Sequence, residues 1–188
     1  MKVTRERAAQ NRERIVEAAA QLFRERGFEG IGVADLMNEA GLTHGGFYGH
    51  FSSKDDLIAE ASARALRRSL ALLNDLGERA PDDPLSAIAG GYLNTKHRDE
   101  PGSGCVLAAL GSDVSRQGPA VRQAVTDHIR SAVELFTKLI PGRSRAARRQ
   151  KAMSTYATLV GAMVIARAVD NRELSKEILD AARASVQA

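Results

Sequence analysis

Cysteine is nearly missing from this chain. Cys105 is the single one in 188 residues, which excludes an intramolecular disulfide framework, and no Cys or His set falls at zinc-ligand spacing. No apolar signal segment stands at the start, and no run is long enough to span a bilayer. The most apolar stretch, 156–169, is short and carries Arg167. There is no glycine-rich phosphate loop and no metal motif. These absences set the expectation of a soluble cytoplasmic protein with no cofactor, no bound metal and no membrane partner. What is present is ordinary for a globular chain: 44% hydrophobic and 27% charged residues, with length for one large or two small domains around a buried core.

The formal net charge of +4 permits a polyanion partner, but its distribution matters more than its total. In the first part of the chain, Glu13, Glu17, Glu25, Glu29, Asp35 and Glu39 offset most cations. The remaining positive charge gathers in Lys2, Arg5, Arg7, Arg12 and Arg14, with Lys54 further on. A second basic run, RSRAARRQK at 143–151, reads as a solvated helix start, with a second nucleic-acid site as the rival reading.

Hydrophobic spacing is helical throughout and predicts about nine helices. One runs from about Glu6 to Arg26, with Ile15, Ala18, Ala19, Leu22 and Phe23 inward and Gly27 ending it. Ser53 with Asp56 predicts a capped start for a long helix over 54–78, striped by Leu57, Ile58, Ala61, Ala65, Leu72, Leu73 and Leu76. Asp83-Pro84 opens a helix to about Lys96, and 97–104 (HRDEPGSG) reads as a loop. Ser103 or Gly104 then opens a helix through Val114, and Gly118-Pro119 opens one ended by Pro141-Gly142. The last two helices cover about 144–170 and 172–186. Apolar on nearly every side between Tyr156 and Val169, the first of them must be buried on more than one face.

Residues 31–54, IGVADLMNEAGLTHGGFYGHFSSK, organise the rest. Val33, Leu36, Met37 and Ala40 give a short helix one apolar face, and Gly41 can stop it in the left-handed conformation. Thr43 is placed to N-cap a second helix with Phe47 and Phe51 inward. Helix, glycine turn, helix is the helix-turn-helix arrangement, whose second helix enters the DNA major groove. That helix carries Gly45, Gly46 and Gly49, each costing about 0.5–1 kcal/mol relative to alanine in a helix interior. A face thinned of side chains lets backbone approach a phosphate or base edge; the bland alternative is that packing offsets the cost.

GLTHGGFYGHFSSKDDL at 41–57, preceded by LFRERGFEG at 22–30, resembles the DNA-binding region of the TetR/AcrR family of bacterial transcriptional repressors over roughly residues 10–60. The Phe-Tyr-x-His-Phe-x-x-Lys run is its distinctive part. The resemblance implies an all-α fold, with a three-helix DNA-binding domain at 1–52 and a helical effector-sensing and dimerisation domain at 53–188. It implies a homodimer through the last two helices on palindromic double-stranded operator DNA. Carried over by position, Thr43 meets a phosphate, Tyr48 and His50 touch phosphates and neighbouring bases, and Lys54 pairs with a phosphate. His44 stands where Lys or Arg is usual, and Gly46 and Gly49 where larger side chains are usual; with Gly45 they complete the expected DNA face. These departures shift readout from base edges toward phosphate positions and DNA shape. A basic arm bearing Arg5 and Arg7 could reach the minor groove.

The segment GSGCVLAALGSDVS at 102–115 resembles the NemR-like subgroup of that family, which senses electrophiles and oxidants through a cysteine similarly placed. Cys105 directly after a helix opening sits where unpaired N–H groups favour thiolate; the alternative is a buried thiol acting as a small hydrophobe. A small-molecule or electrophile effector would enter between the middle helices, with Tyr92, His97, Leu107 and His128 as candidate linings. Two rival readings stay open: a helical interaction module that never binds DNA, and a small all-α enzyme. For the latter, His97, His128 and Cys105 can be imagined as a nucleophile and bases, but no spacing enforces it.

Overall fold

The computed structural model describes residues 5–187. Among them are nine α-helices, two short 3-10 helices and no strand. Helix α1 is Arg5–Arg26, α2 Val33–Glu39, then a 3-10 helix His44–Gly49, and α3 Lys54–Glu78. After these come α4 Pro84–Tyr92, α5 Thr95–Asp99, a 3-10 turn Pro101–Ser103 and α6 Val106–Val114. Helices α7 Pro119–Leu139, α8 Arg145–Ala168 and α9 Arg172–Gln187 complete the chain.

Local chemistry places most boundaries. Gly27 and Gly41 have φ of 79° and 65° and end α1 and α2 in the left-handed region. The Ser53 hydroxyl accepts the Asp56 N–H at 3.1 Å and opens α3; Asp83 accepts the Ser86 N–H at 3.2 Å and opens α4, with Pro84 first in the helix. Two expectations fail here. The helix from Pro84 stops at Tyr92 rather than about Lys96, because Asn94 accepts the His97 N–H at 2.8 Å and starts α5, which runs on into the expected loop. Helix α6 begins at Val106, with Cys105 itself as N-cap residue rather than a position inside the helix.

Buried side chains form two clusters. The first joins Ile15, Val16, Leu22 and Phe23 of α1 to Phe28, Leu36, Met37, Phe47 and Phe51, and to Leu57, Ile58 and Leu66 of α3. It also takes Val106, Leu110 and Val114 from α6 and Val121 and Val125 from α7. The second gathers Leu73, Tyr92, Leu93, Cys105, Phe136, Tyr156, Leu159 and Met163, with Leu179 and Val186 of α9. The first core therefore extends past residue 52, and α6 is shared: Leu107 packs against both clusters. Leu72, expected in the α3 stripe, is instead 54% exposed, on the wall of a cavity.

Helix α8 has two apolar faces. Tyr156, Leu159, Met163 and Ala166 point into the core, while Met153, Val164 and Ile165 are exposed and Val160 and Gly161 half-buried. Positions 153, 157, 160, 164 and 168 lie on one helical side. On α9 the buried residues are Ser175, Leu179 and Val186, Ile178 and Ala182 pack half-buried against the same core, and Leu174 is exposed.

Candidate nucleic-acid interface and sensing cavity

The segment 43–50 is a surface feature with a buried anchor. Phe47 is fully buried, with ring centroids 5.6 Å from Phe51 and 5.2 Å from Tyr48, which meets it edge-on. Tyr48 itself is 69% exposed. Packing against Phe51 thus belongs to Phe47, and the Tyr48 hydroxyl end is free to reach a partner. Thr43, His44, Gly45 and Gly49 are exposed, Gly46 and His50 half-buried.

The second helix is not the expected α-helix. It is a 3-10 helix of six residues, and Thr43, at its N-cap position, makes no side-chain capping bond. Its carbonyl, not its hydroxyl, receives the Gly46 N–H at 3.0 Å. Three glycines in six residues remove the side-chain contacts and propensity that sustain an α-helix, and a tight short turn results. The fold itself does not need two of those glycines. A Cβ built at Gly45 or Gly49 meets nothing within 4 Å, whereas one at Gly46 would lie 3.6 Å from Met37 Cε, an ordinary contact.

Some expected cations are engaged. Arg5 and Arg7 lie in the first turn of α1 rather than on an extended arm; Lys2 is outside the described residues. Arg12 is ion-paired to Glu60 and lies 4.5 Å over the Phe51 ring, so part of its charge serves the α1–α3 contact. Arg64 and Arg68 of α3 pair with Glu13 and Glu17 of α1 beside it. Lys54 Nζ is only loosely near Glu29, at 3.9 Å, a half-buried ammonium beside an exposed carboxylate, a pair worth about 0–1 kcal/mol. In the basic run at 143–151, Arg145 pairs with Glu134 at 3.1 Å and most of its neighbours are solvated, as expected.

Between α1, α3 and residues 91–105 lies a cavity of about 880 Å³. Tyr92, His97 and Cys105 line it; Leu107 and His128, expected there, do not. His128 is buried elsewhere, its Nε2 sharing a 2.8 Å hydrogen bond with the Tyr156 hydroxyl. Leu72, Leu73 and Leu76 form an apolar wall, and Glu17, Gln21, Arg24 and Glu25 bring α1 into the lining. Cys105 is 3% exposed, and the buried Tyr92 hydroxyl beside it has no well-formed hydrogen bond. Burial pushes the Tyr92 phenol well above its usual range, so it stays a proton donor.

His97 does not serve the thiol as a base. Its Nε2 accepts the Cys105 backbone N–H at 2.9 Å, and Nδ1 lies 2.7 Å from the Tyr92 carbonyl. An acceptor at Nε2 requires a neutral ring with the proton on Nδ1. Burial above all, with the Arg167 charge adding, lowers its pKa against the hydrogen bond to Tyr92. Burial lowers that of His128 as well, against a backbone hydrogen bond to Leu66.

The sign of the pH dependence follows. Each imidazole is a weaker base folded than unfolded, so the unfolded chain binds protons that the folded chain refuses. Their contribution is complete above the ordinary imidazole value and is lost as pH falls below it. The melting temperature is expected to drop between about pH 7.5 and about pH 5.5, spanning the usual histidine pKa of about 6.5. His97→Gln with His128→Gln should flatten that slope; a slope identical to wild type would remove these two residues as its source.

A buried aromatic anchor under an exposed, glycine-thinned turn, carried on helices joined to an effector-sized cavity, defines an all-α helix-turn-helix protein. Residues 15–61 match the model of bacterial regulatory proteins of the tetR family, about a quarter of the chain. It is 27% identical over 132 residues to the HTH-type transcriptional repressor NemR of Escherichia coli strain K12, covering 69% of this chain and 66% of the repressor. It is 36% identical over 90 residues to the transcriptional regulator TtgR of Pseudomonas putida, covering 45% of this chain and 40% of that one. These alignments span between two fifths and two thirds of the relatives' lengths. The crystal structure of reduced E. coli NemR superposes with a TM-score of 0.77 at 26% identity, over 94% of this chain and 96% of that one. A TetR-family regulator from Agrobacterium tumefaciens gives 0.78 at 24% identity over 96% and 100%, a likeness of fold.

Sequence reasoning missed Arg24 and Gly102. Arg24 Nε donates to the Gly102 carbonyl at 2.8 Å, and Nη2 also reaches it. Only the glycine pair around Ser103 hinted that backbone would approach something closely.

Proposed function

We propose that this protein is a homodimeric transcriptional repressor that binds a palindromic duplex operator through residues 43–50 and Lys54, and leaves it when the cavity beside Cys105 is filled or the thiol modified. The observation that carries the reading is the exposed turn over a buried Phe47, with two glycines whose missing side chains answer to nothing inside the protein. The free Thr43 hydroxyl and Tyr48 phenol stand on the same turn, suited to phosphate contacts. The exposed apolar side of α8 beside α9 supports pairing of two copies there. Residues 1–52 and 53–188 keep their roles as reading head and sensing body, with α6 contributing to both cores. The reading places the protein in the cytoplasm and gives it no catalytic role.

The test is selection of duplexes from a random-sequence pool by the purified protein. Enrichment of a palindrome whose half-sites repeat about one helical turn apart, about 10 base pairs, supports it. Recovery of unrelated sequences at every salt concentration would instead favour an interaction module that does not read DNA. On the selected duplex, alkylation of Cys105 is expected to weaken binding about tenfold or more, as for a coupling of 1–3 kcal/mol. Cys105→Ser should be indifferent to the reagent. An unreactive Cys105 makes the thiol a core residue, leaving the cavity as the site of reversible effectors. Deleting residues before Arg12 should weaken operator binding and flatten its salt dependence through loss of Arg5 and Arg7. Unchanged affinity and slope would take those two arginines out of the interface.

A further inference from the structure

The short strap between Glu100 and Cys105 is held from both sides. On one side lies α1 of the reading head. Arg24, from its last turns, donates Nε and Nη2 to the Gly102 carbonyl. Gly102 is buried so closely on α1 that a Cβ there would fall 2.9 Å from Gln21 Cγ and against the Glu25 carboxylate. On the other side lies the sensing body. A Cβ at Gly104 would stand 2.6 Å from His97 Cδ2, and His97 in turn receives the Cys105 N–H. Arg167 of α8 donates to the carbonyls of His97 and Arg98, fixing that side. The strap and α1 also form adjoining walls of the cavity: Gly102, Ser103, Gly104 and Cys105 face a space that Gln21, Arg24 and Glu25 also line. An occupant beside Cys105 therefore presses on a strap whose Gly102 is already in close contact with the Gln21 and Glu25 side chains of α1.

We propose that Arg24 is a clasp through which the reading head senses the state of the cavity: an occupant or adduct at Cys105 lifts the strap, breaks the Arg24–Gly102 contact and loosens the end of α1. This deepens the repressor reading and rests on it. Arg24 acts as a positioning residue. It is partly desolvated, and burial lowers its pKa, so losing the carbonyl leaves a guanidinium in a place that suits it poorly. The α1 end it holds carries Leu22 and Phe23, which pack in one core with Leu36, Met37 and Phe47 beneath the DNA-facing turn. Phe23 and Phe28 sit 5.5 Å apart at that end.

Hydrogen exchange on the full-length protein tests the clasp without any DNA, with N-ethylmaleimide as the probe at Cys105. In the wild type, a single adduct is expected to raise exchange over residues 20–28 and 33–51 about tenfold, the signature of a local opening made easier. Arg24→Met should show that raised exchange before any reagent is added, and the adduct should add nothing further. Arg24→Lys, keeping charge and stem with a simpler donor, should fall between. Gly102→Val, a wedge needing no reagent, should reproduce the adduct's effect. Exchange over 172–187 serves as the check that the body remains folded. An adduct effect equal in wild type and Arg24→Met, or wild-type exchange over 20–28 in Gly102→Val, overturns the clasp. A Cys105 that does not react defeats thiol sensing instead, and Gly102→Val still decides the clasp. Absence of operator binding in every variant, wild type included, defeats the repressor reading and leaves the exchange result standing.

Discussion

Gly45→Ala combined with Gly49→Ala is expected to make the protein more stable and its DNA binding much weaker. Neither glycine has a positive φ, since among the described residues only Gly27, Gly41 and Gly142 do. Neither has a neighbour within 4 Å of the position an added methyl would take. Alanine should then gain about 0.5–1 kcal/mol at each site through the helical preference and a less disordered unfolded chain. The same two methyl groups stand on the exposed turn and hold a duplex away. Loss of even about 1.4 kcal/mol is a tenfold fall in affinity, and a shifted backbone loses several contacts at once. A melt and a retardation assay on the selected duplex measure both halves. A more stable variant that binds as before would show that this face never comes close to DNA, and the account of the turn would go with it.

Val164→Glu is expected to separate the dimer without harming the protomer. The residue is 44% exposed in the single chain, so a carboxylate there meets water and the fold tolerates it. In a seam of α8 and α9 against their copies, the same carboxylate is desolvated and faces Met153, Val160 and Ile165 equivalents with no partner. An uncompensated buried charge costs about 3–5 kcal/mol, enough to shift a dissociation constant by about two to three powers of ten. Sedimentation should show monomers where the wild type is dimeric, with an unchanged helical melt. Binding to a palindrome should fall at least as steeply, because each half-site then recruits its own copy. A wild type that sediments as a monomer at tens of micromolar, or a variant that stays dimeric, would move the seam elsewhere.

Much of this was legible in the residues because it depends on groups a few positions apart. Gly41, Ser53-Asp56, Asp83-Pro84 and Gly118-Pro119 set boundaries by bonds within one turn, and the structure places them as expected. The helical period likewise located the inward face of α1, where Ile15, Ala19, Leu22 and Phe23 are buried. Asn94 was equally local, but a polar residue in an otherwise helical stretch carried no mark distinguishing a new N-cap from a solvated position. The family resemblance supplied the role expected of 41–57; composition alone offered only a modest positive charge.

Taken alone, the sequence determined an all-α chain, its punctuation, a glycine-rich segment at 43–50 with Phe47 inward, and a cysteine at a helix start. Those follow from backbone preferences and hydrophobic period, which act over one or two turns. Tertiary structure decided the rest: that the segment at 43–50 tightens to a 3-10 helix, that Leu72 opens onto a cavity, that His97 spends its lone pair on the Cys105 N–H, and that α6 shares the core of the first three helices. It alone joined Arg24 to Gly102, 78 positions away. Nothing in either residue's neighbours encodes that choice, because the partner is selected by which backbone carbonyl the packed helices bring within reach of a half-buried guanidinium.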